Sequence, residues 1–232
     1  GNSFNTGQAL PGSYEYWLTD SLSGCPASLA DSATLTINEA ATVYAGVNDM
    51  ICEGSTYTLS GNMGGSASII NWATSGDGTF DDTTLLTATY NPGVTDITNG
   101  SVILTITTND ADSTGPCAAA VDAMTLTINL AALVNAGVDD TICQGSAYVL
   151  SGTKGGGTST ITWTSSGNGI FNNANLLGAI YTPSAADISA GSVFLIITSD
   201  DPPGPCPAVV DSMKLIINQA ATEFAGNDTT IC

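Results

Sequence analysis

Apolar and polar residues alternate with a period of two along most of the chain. Val102, Leu104 and Ile106 share one face of a run, and Val193, Leu195 and Ile197 repeat it. Met124, Leu126 and Ile128 behave likewise and are echoed by Met213, Leu215 and Ile217. Ile70 with Trp72, and Ile161 with Trp163, mark another strand, and Tyr57 and Leu59 precede a Ser-Gly turn. Successive side chains of a strand point to opposite faces, so this spacing predicts half-buried strands. Clusters of Gly, Asn, Asp and Pro separate the runs, and no segment sustains helical spacing. About seven short strands around one tryptophan predict an all-β, immunoglobulin-like sandwich. Trp72 and Trp163 are expected in the core, carbohydrate stacking being the weaker reading.

The strand pattern repeats as a whole. AGVNDMICEGSTYTLSG begins at Ala45, AGVDDTICQGSAYVLSG at Ala136, and AGNDTTIC at Ala225. A period of roughly 90 residues means tandem domains. The copies stay in register until a two-residue deletion just before Gly115-Pro116-Cys117 in one and Gly204-Pro205-Cys206 in the next. Indels sit in exposed loops, which marks this segment as a loop. The expected organisation is the C-terminal part of a truncated sandwich over residues 1–39, full repeats over 40–130 and 131–219, and the first strand of another over 220–232. The chain opens in mid-pattern and reads as an excerpt of a longer polypeptide.

Charge narrows the function classes. The 232 residues carry 21 acidic side chains against two cationic ones, Lys154 and Lys214, with no histidine, for a net charge of -19. Such a surface repels phosphates, so nucleic acid and anionic membranes are not expected partners. No run of about 20 apolar residues is present to span a bilayer as a helix. Without histidine there is no Ser-His-Asp or Cys-His machinery and no imidazole metal ligand. Paired carboxylates alone could still hydrolyse glycosides, but no catalytic residue is assigned and the chain is not expected to be an enzyme.

The motifs AGxDxTICxGSxYxLSG, WxxSGxGxF, YxPxxxDIxxGSVxLxIT and GPCxAxxDxMxLxI together resemble the PKD-like and Ig-like repeats of giant surface adhesins of Bacteroidota. The resemblance covers essentially the whole chain and includes the gliding adhesins. The repeat itself predicts a linear array of sandwiches, and the resemblance implies export by type IX secretion and display on the cell surface. The function it implies is a stalk that spaces a distal binding tip and carries force. The alternative is that the sandwiches themselves bind glycan or neighbouring chains. The implied partners are adjacent repeats of the same polypeptide and other copies in a fibre.

Six cysteines, at 25, 52, 117, 143, 206 and 232, occur either in an "IC" before a strand or in the deletion-bearing loop. An exported chain permits disulfides, and no pair has the short spacing of a zinc site. Two pairings are open. Within each repeat, Cys52 would join Cys117 and Cys143 would join Cys206. Chain length favours another answer. Residues 42–52, taken as one strand at about 3.3 Å per residue, would carry Cys52 roughly 36 Å from the loop that holds Cys117. A disulfide needs Cα atoms within about 7 Å. Cys52 is therefore expected to bond Cys206 of the following repeat. Cys25 and Cys117 would then look upstream, and Cys143 and Cys232 downstream.

Acidic loops raise the question of calcium, with Asp77, Asp81 and Asp82, or Asp110 and Asp112, as candidates. The second repeat turns GDGTFDD into GNGIFNN, which a required site would not tolerate, although Asp200 and Asp201 keep charge in the other loop. No metal or cofactor is therefore assigned, and the acidic residues are read as a solvated surface. Asp-Ser or Asp-Thr before a small or apolar residue resembles the O-glycosylation motif of Bacteroidota. It nominates Ser21, Ser32, Thr83, Ser113, Thr141, Ser212 and Thr229. Asn99-Gly100-Ser101 also fits the N-linked sequon.

Overall fold

The structure, a computed structural model, describes residues 10–18, 31–110, 117–221 and 223. It divides into two compact units, one of Gly1–Asp49 with Thr56–Leu126, the other of Met50–Ser55 with Thr127–Cys232. At the N-terminal side, β1 (Gly12–Leu18) pairs antiparallel with β2 (Asp31–Ile37), with Gly12 opposite Ile37. Trp17 on β1 is 62% exposed, so the tryptophan of this partial copy is not a core residue.

The first full repeat runs β3 (Thr42–Tyr44), β4 (Asp49–Cys52), β5 (Tyr57–Thr58), β6 (Asn62–Gly64), β7 (Ile70–Thr74), β8 (Thr79–Phe80), β9 (Thr89–Asn91), α1 (Val94–Asn99), β10 (Ser101–Thr108) and β11 (Val121–Asn129). One sheet has the order β4-β11-β10-β7, and the facing strands are β3-β6 and β5-β9-β8. The second repeat copies this with β12 (Ala132–Asn135), β13 (Asp140–Cys143), β14 (Tyr148–Val149), β15 (Thr153–Gly156), β16 (Ile161–Ser165), β17 (Ile170–Phe171), β18 (Ile180–Thr182), α2 (Ala185–Ala190), β19 (Ser192–Ser199) and β20 (Val210–Asn218). Its sheets are β13-β20-β19-β16, β12-β15 and β14-β18-β17. In each repeat two strands are interrupted, so the nine segments amount to the seven strands of an immunoglobulin-like sandwich.

The core lies between the sheets and is built from the inward positions of the period-two runs. Trp72 and Trp163 are each 1% exposed. Burying a side chain of that size removes roughly 200 Å² from water and contributes ~5 kcal/mol at most. Each indole N–H finds a carbonyl, Leu85 O at 3.0 Å and Leu176 O at 3.1 Å. Leu104, Ile106, Met124 and Leu126 pack in the first core, and Leu195, Ile197, Met213 and Leu215 in the second.

Two expectations need correction. The first strand is not continuous from 42 to 52. β3 pairs antiparallel with β6, whereas β4 joins β11 in the other sheet. In the second repeat the same switch leaves β13 parallel to β20, with Cys143 opposite Asn218. The hinge is built from polar contacts. Ala45 N–H donates to Asp122 Oδ2 at 2.8 Å, and Thr125 N–H to Asn48 Oδ1 at 2.8 Å. Between them Gly46 adopts φ 102°, a left-handed conformation that disfavours side chains. Ala136 with Asp211, Lys214 with Asp139, and Gly137 at φ 94° repeat the device.

The second correction concerns helix. α1 and α2 are single six-residue helices that follow Pro92 and Pro183 and end on Gly100 and Gly191, both left-handed. Six residues are under two turns, too few for a 3.6-residue period to show in the sequence.

Candidate functional site

The chemistry-bearing residues fall into three groups: a cystine, a pair of buried carboxylates and the acidic turns.

Cys52 ends β4 and is bonded to Cys206, with Cα atoms 5.0 Å apart and a separation of 154 in sequence. This is the expected pairing, although the unbroken strand it was argued from is interrupted between β3 and β4, and it displaces Cys52 with Cys117 and Cys143 with Cys206. The turn after Cys52 is held by backbone contacts. Glu53 N–H donates to Asn129 O at 2.8 Å, and the Glu53 carboxylate accepts from Ala131 N–H at 3.2 Å. Gly54, at φ 83°, lets the chain turn so that Ser55 N–H reaches Cys52 O at 3.0 Å. On the other side, Gly204 lies so close that a Cβ there would sit 2.3 Å from Asn129 Nδ2 and 3.1 Å from Met50 Sδ. Cys206 is 1% exposed. All these residues belong to the second unit, which takes Met50–Ser55 from the copy that precedes it in sequence. Cys143 is an exposed thiol. Cys25 and Cys232 lie outside the described residues.

The carboxylates of Asp96 and Asp187, 1% and 3% exposed, are the functional groups that the sequence reading passed over. Asp96 accepts from the Tyr90 hydroxyl at 2.6 Å, from Gly78 N–H and Gly93 N–H at 3.0 Å, and from Asp77 N–H at 3.3 Å. Asp187 accepts from Tyr181 at 2.9 Å, Ser184 N–H at 2.8 Å and Asn168 N–H at 3.0 Å. Burial pushes the Asp187 pKa up, but the donors from Ser184, Asn168 and Tyr181 outweigh it and hold the carboxyl below its ordinary value. Burial, reinforced by the bond to Asp96, pushes the Tyr90 phenol up to about 12, so it stays a donor. Each carboxylate ties the start of its short helix to the turn before β8 or β17. The signal was present in YxPxxxDI, which places Asp at the third position of each helix.

The acidic turns weighed for calcium have backbone partners. Asp81 accepts from Asp82 N–H and Thr89 N–H, each at 2.7 Å. Asp82 accepts from Thr84 N–H at 2.9 Å and its hydroxyl at 2.6 Å. In the second repeat Asn172 accepts from Asn173 N–H and Ile180 N–H at 2.8 Å, and Asn173 from Asn175 N–H at 3.0 Å. A neutral amide oxygen does the same work, which explains why the charge is not kept. Asp77 accepts from Thr95 N–H at 3.0 Å, and this bond foremost lowers its pKa. The Asp81 carboxyl is lowered chiefly by Thr89 N–H, Asp82 by the Thr84 hydroxyl and Asp200 by the Ser159 hydroxyl. Among the described residues no group of three or more acidic, cysteine or histidine side chains is placed to hold a metal. Asp110 and Asp201 are exposed, and Asp112 lies outside the described residues.

Of the glycosylation candidates, Ser32 on β2, Thr141 on β13 and Ser212 on β20 are exposed, whereas Thr83 is half-buried. Ser21, Ser113 and Thr229 lie outside the described residues.

No family model matches the chain, and no curated protein matches it. Solved structures do. Human CDH23 EC21-23 is similar with a TM-score of 0.50 at 14% identity, over 88% of this chain and 74% of that one. Protocadherin Gamma C5 EC1-3 gives 0.47 at 11% identity, over 89% of this chain and 77% of that one. Drosophila N-cadherin EC1-4 gives 0.45 at 13% identity, over 90% of this chain and 58% of that one. The chain thus spans well under two thirds of the N-cadherin fragment. At 14% identity the likeness to CDH23 EC21-23 carries the fold alone: an all-β chain of repeated immunoglobulin-like sandwiches.

Proposed function

We propose that this chain is a stalk segment of a large extracellular adhesin or filament, and that it carries tension. The observation that carries the reading is the Cys52–Cys206 bond. Its two sulfurs come from successive sequence copies, so a pull applied outside them bypasses everything between. The 154-residue separation corresponds to roughly 500 Å of extended chain that tension cannot draw out while the bond holds. The repeat boundaries at 40, 131 and 220, the absence of enzymatic turnover, surface display through type IX secretion, and modification at the exposed Ser32, Thr141 and Ser212 belong to the same reading. They rest on the resemblance to Bacteroidota adhesin repeats and on the charge of -19.

A second reading, in which the sandwiches bind glycan or another chain, draws on Phe194, which points outward from β19 and is 50% exposed. The test is single-molecule stretching of the chain from its two termini with and without reductant. The stalk reading expects reductant to add roughly 500 Å to the final extension. Equal extensions would refute it, and saturable retention of the oxidised chain on a glycan panel would favour binding.

A further inference from the structure

The structure assigns Cys143 as the upstream half of a second latch, whose other half is the Gly-Pro-Cys cysteine of a repeat that follows. The inference deepens the stalk reading and rests on it. Two equivalent seats, one filled and one open, carry the inference. In the filled seat Cys52 precedes Glu53, whose N–H reaches Asn129 O at 2.8 Å and whose carboxylate accepts from Ala131 N–H. In the open seat Cys143 precedes Gln144, whose N–H reaches Asn218 O at 2.8 Å and whose side-chain oxygen accepts from Ala220 N–H at 3.1 Å. Gly54 and Gly145 turn the chain at φ 83° and 86°, and Ser55 and Ser146 close on Cys52 O and Cys143 O at 3.0 and 3.1 Å.

The seats differ in cover. Where Cys206 is bonded, Ile51 is buried and Asn129 half-buried; at the other seat Ile142 is half-buried, and Cys143, Asn218 and Ala220 are exposed. The occupant follows from what fills the first seat. Gly204 rests where a Cβ would meet Asn129 Nδ2, so the Gly two residues before the incoming cysteine allows the approach; at the other seat Asn218 lies opposite Cys143 and is exposed. The partner is therefore the deletion-bearing loop of another copy, in its own Gly-Pro-Cys. AGNDTTIC from Ala225 repeats the phrase that opens such a copy.

Bond formation needs an oxidant of the disulfide class, such as oxidised glutathione. The Cys143 thiolate attacks it and one glutathione thiolate leaves. The incoming cysteine thiolate then attacks the Cys143 sulfur and expels the second. Two protein thiols are oxidised, one disulfide is reduced, and two protons pass to the two glutathiones.

The test uses the 232-residue chain lengthened after Cys232 by a second copy of residues 144–219, oxidised with glutathione and mapped as non-reduced peptides. The expected result is two cystines, Cys52 with Cys206 and Cys143 with the Gly-Pro-Cys cysteine of the added copy. Cys143→Ser should abolish the second and leave the first. If Cys143 stays alkylatable, or bonds any other cysteine, while Cys52 and Cys206 are joined, this inference falls and the stalk reading stands. If Cys52 and Cys206 are not joined either, the latch behind the stalk reading falls with it.

Discussion

The Tyr90 hydroxyl donates to the buried Asp96 carboxylate at 2.6 Å, and Tyr181 repeats the contact to Asp187 at 2.9 Å. Each carboxylate also takes backbone N–H groups from a turn and from a helix start. Asp96→Ala would orphan several donors in a buried site. It is expected to cost ~2–4 kcal/mol, read as a lower urea midpoint at unchanged slope. Tyr90→Phe, which removes one donor of four, should cost about 1 kcal/mol.

Acid should destabilise the protein in a defined window. The Asp187 carboxyl is held below its ordinary value when folded. A depressed folded pKa contributes stability that is present above the unfolded pKa, about 4, and is lost as pH falls through the folded one. Urea midpoints should be insensitive to this group near neutrality and fall below about pH 4. Asp187→Asn should flatten that acid slope; an unchanged slope would show that the group is not linked to folding.

Reducing the Cys52–Cys206 bond should lower stability more than any surface change. A closure of 154 residues corresponds to roughly 5 kcal/mol in chain-entropy terms. Denaturant midpoints of the oxidised chain against Cys52→Ser, with and without reductant, measure it. Reductant should have no further effect on the variant.

Gly152 packs under Trp163, and a Cβ there would lie 2.6 Å from the indole Cζ2; at Gly61 the distance to Trp72 is 2.9 Å. Both interiors are closely filled, so Gly152→Ala should cost ~1–3 kcal/mol and Gly61→Ala somewhat less. Thermal unfolding of the two variants checks the order.

Asp81→Asn and Asp82→Asn should be nearly neutral, within ~0.5 kcal/mol, because Asn172 and Asn173 already hold the equivalent backbone donors. Millimolar calcium or a chelator should leave the melting temperature unchanged. A calcium-dependent rise lost in Asp81→Asn would reverse this conclusion.

The alternation of Val102, Leu104 and Ile106 was enough to place a strand and its inward face, because one buried face is a local property with period two. Repetition was equally legible, and it exposed the calcium reading as weak once Asp81 and Asp82 met Asn172 and Asn173. The IC and GPC contexts narrowed the cysteine pairing to two patterns.

Tertiary structure decided the rest, since the deciding contacts join residues far apart in sequence. The switch of the first strand between sheets depends on Ala45 meeting Asp122, 77 residues away, and no window of sequence contains both. The role of Asp96 depends on a turn 18 residues before it, Gly78, which the chain must fold back to present. Local pattern fixed which residues could be buried. Only the packed sheets, through hydrogen bonds that a buried polar group cannot forgo, determined which polar partners met there and which cysteine Cys52 would reach.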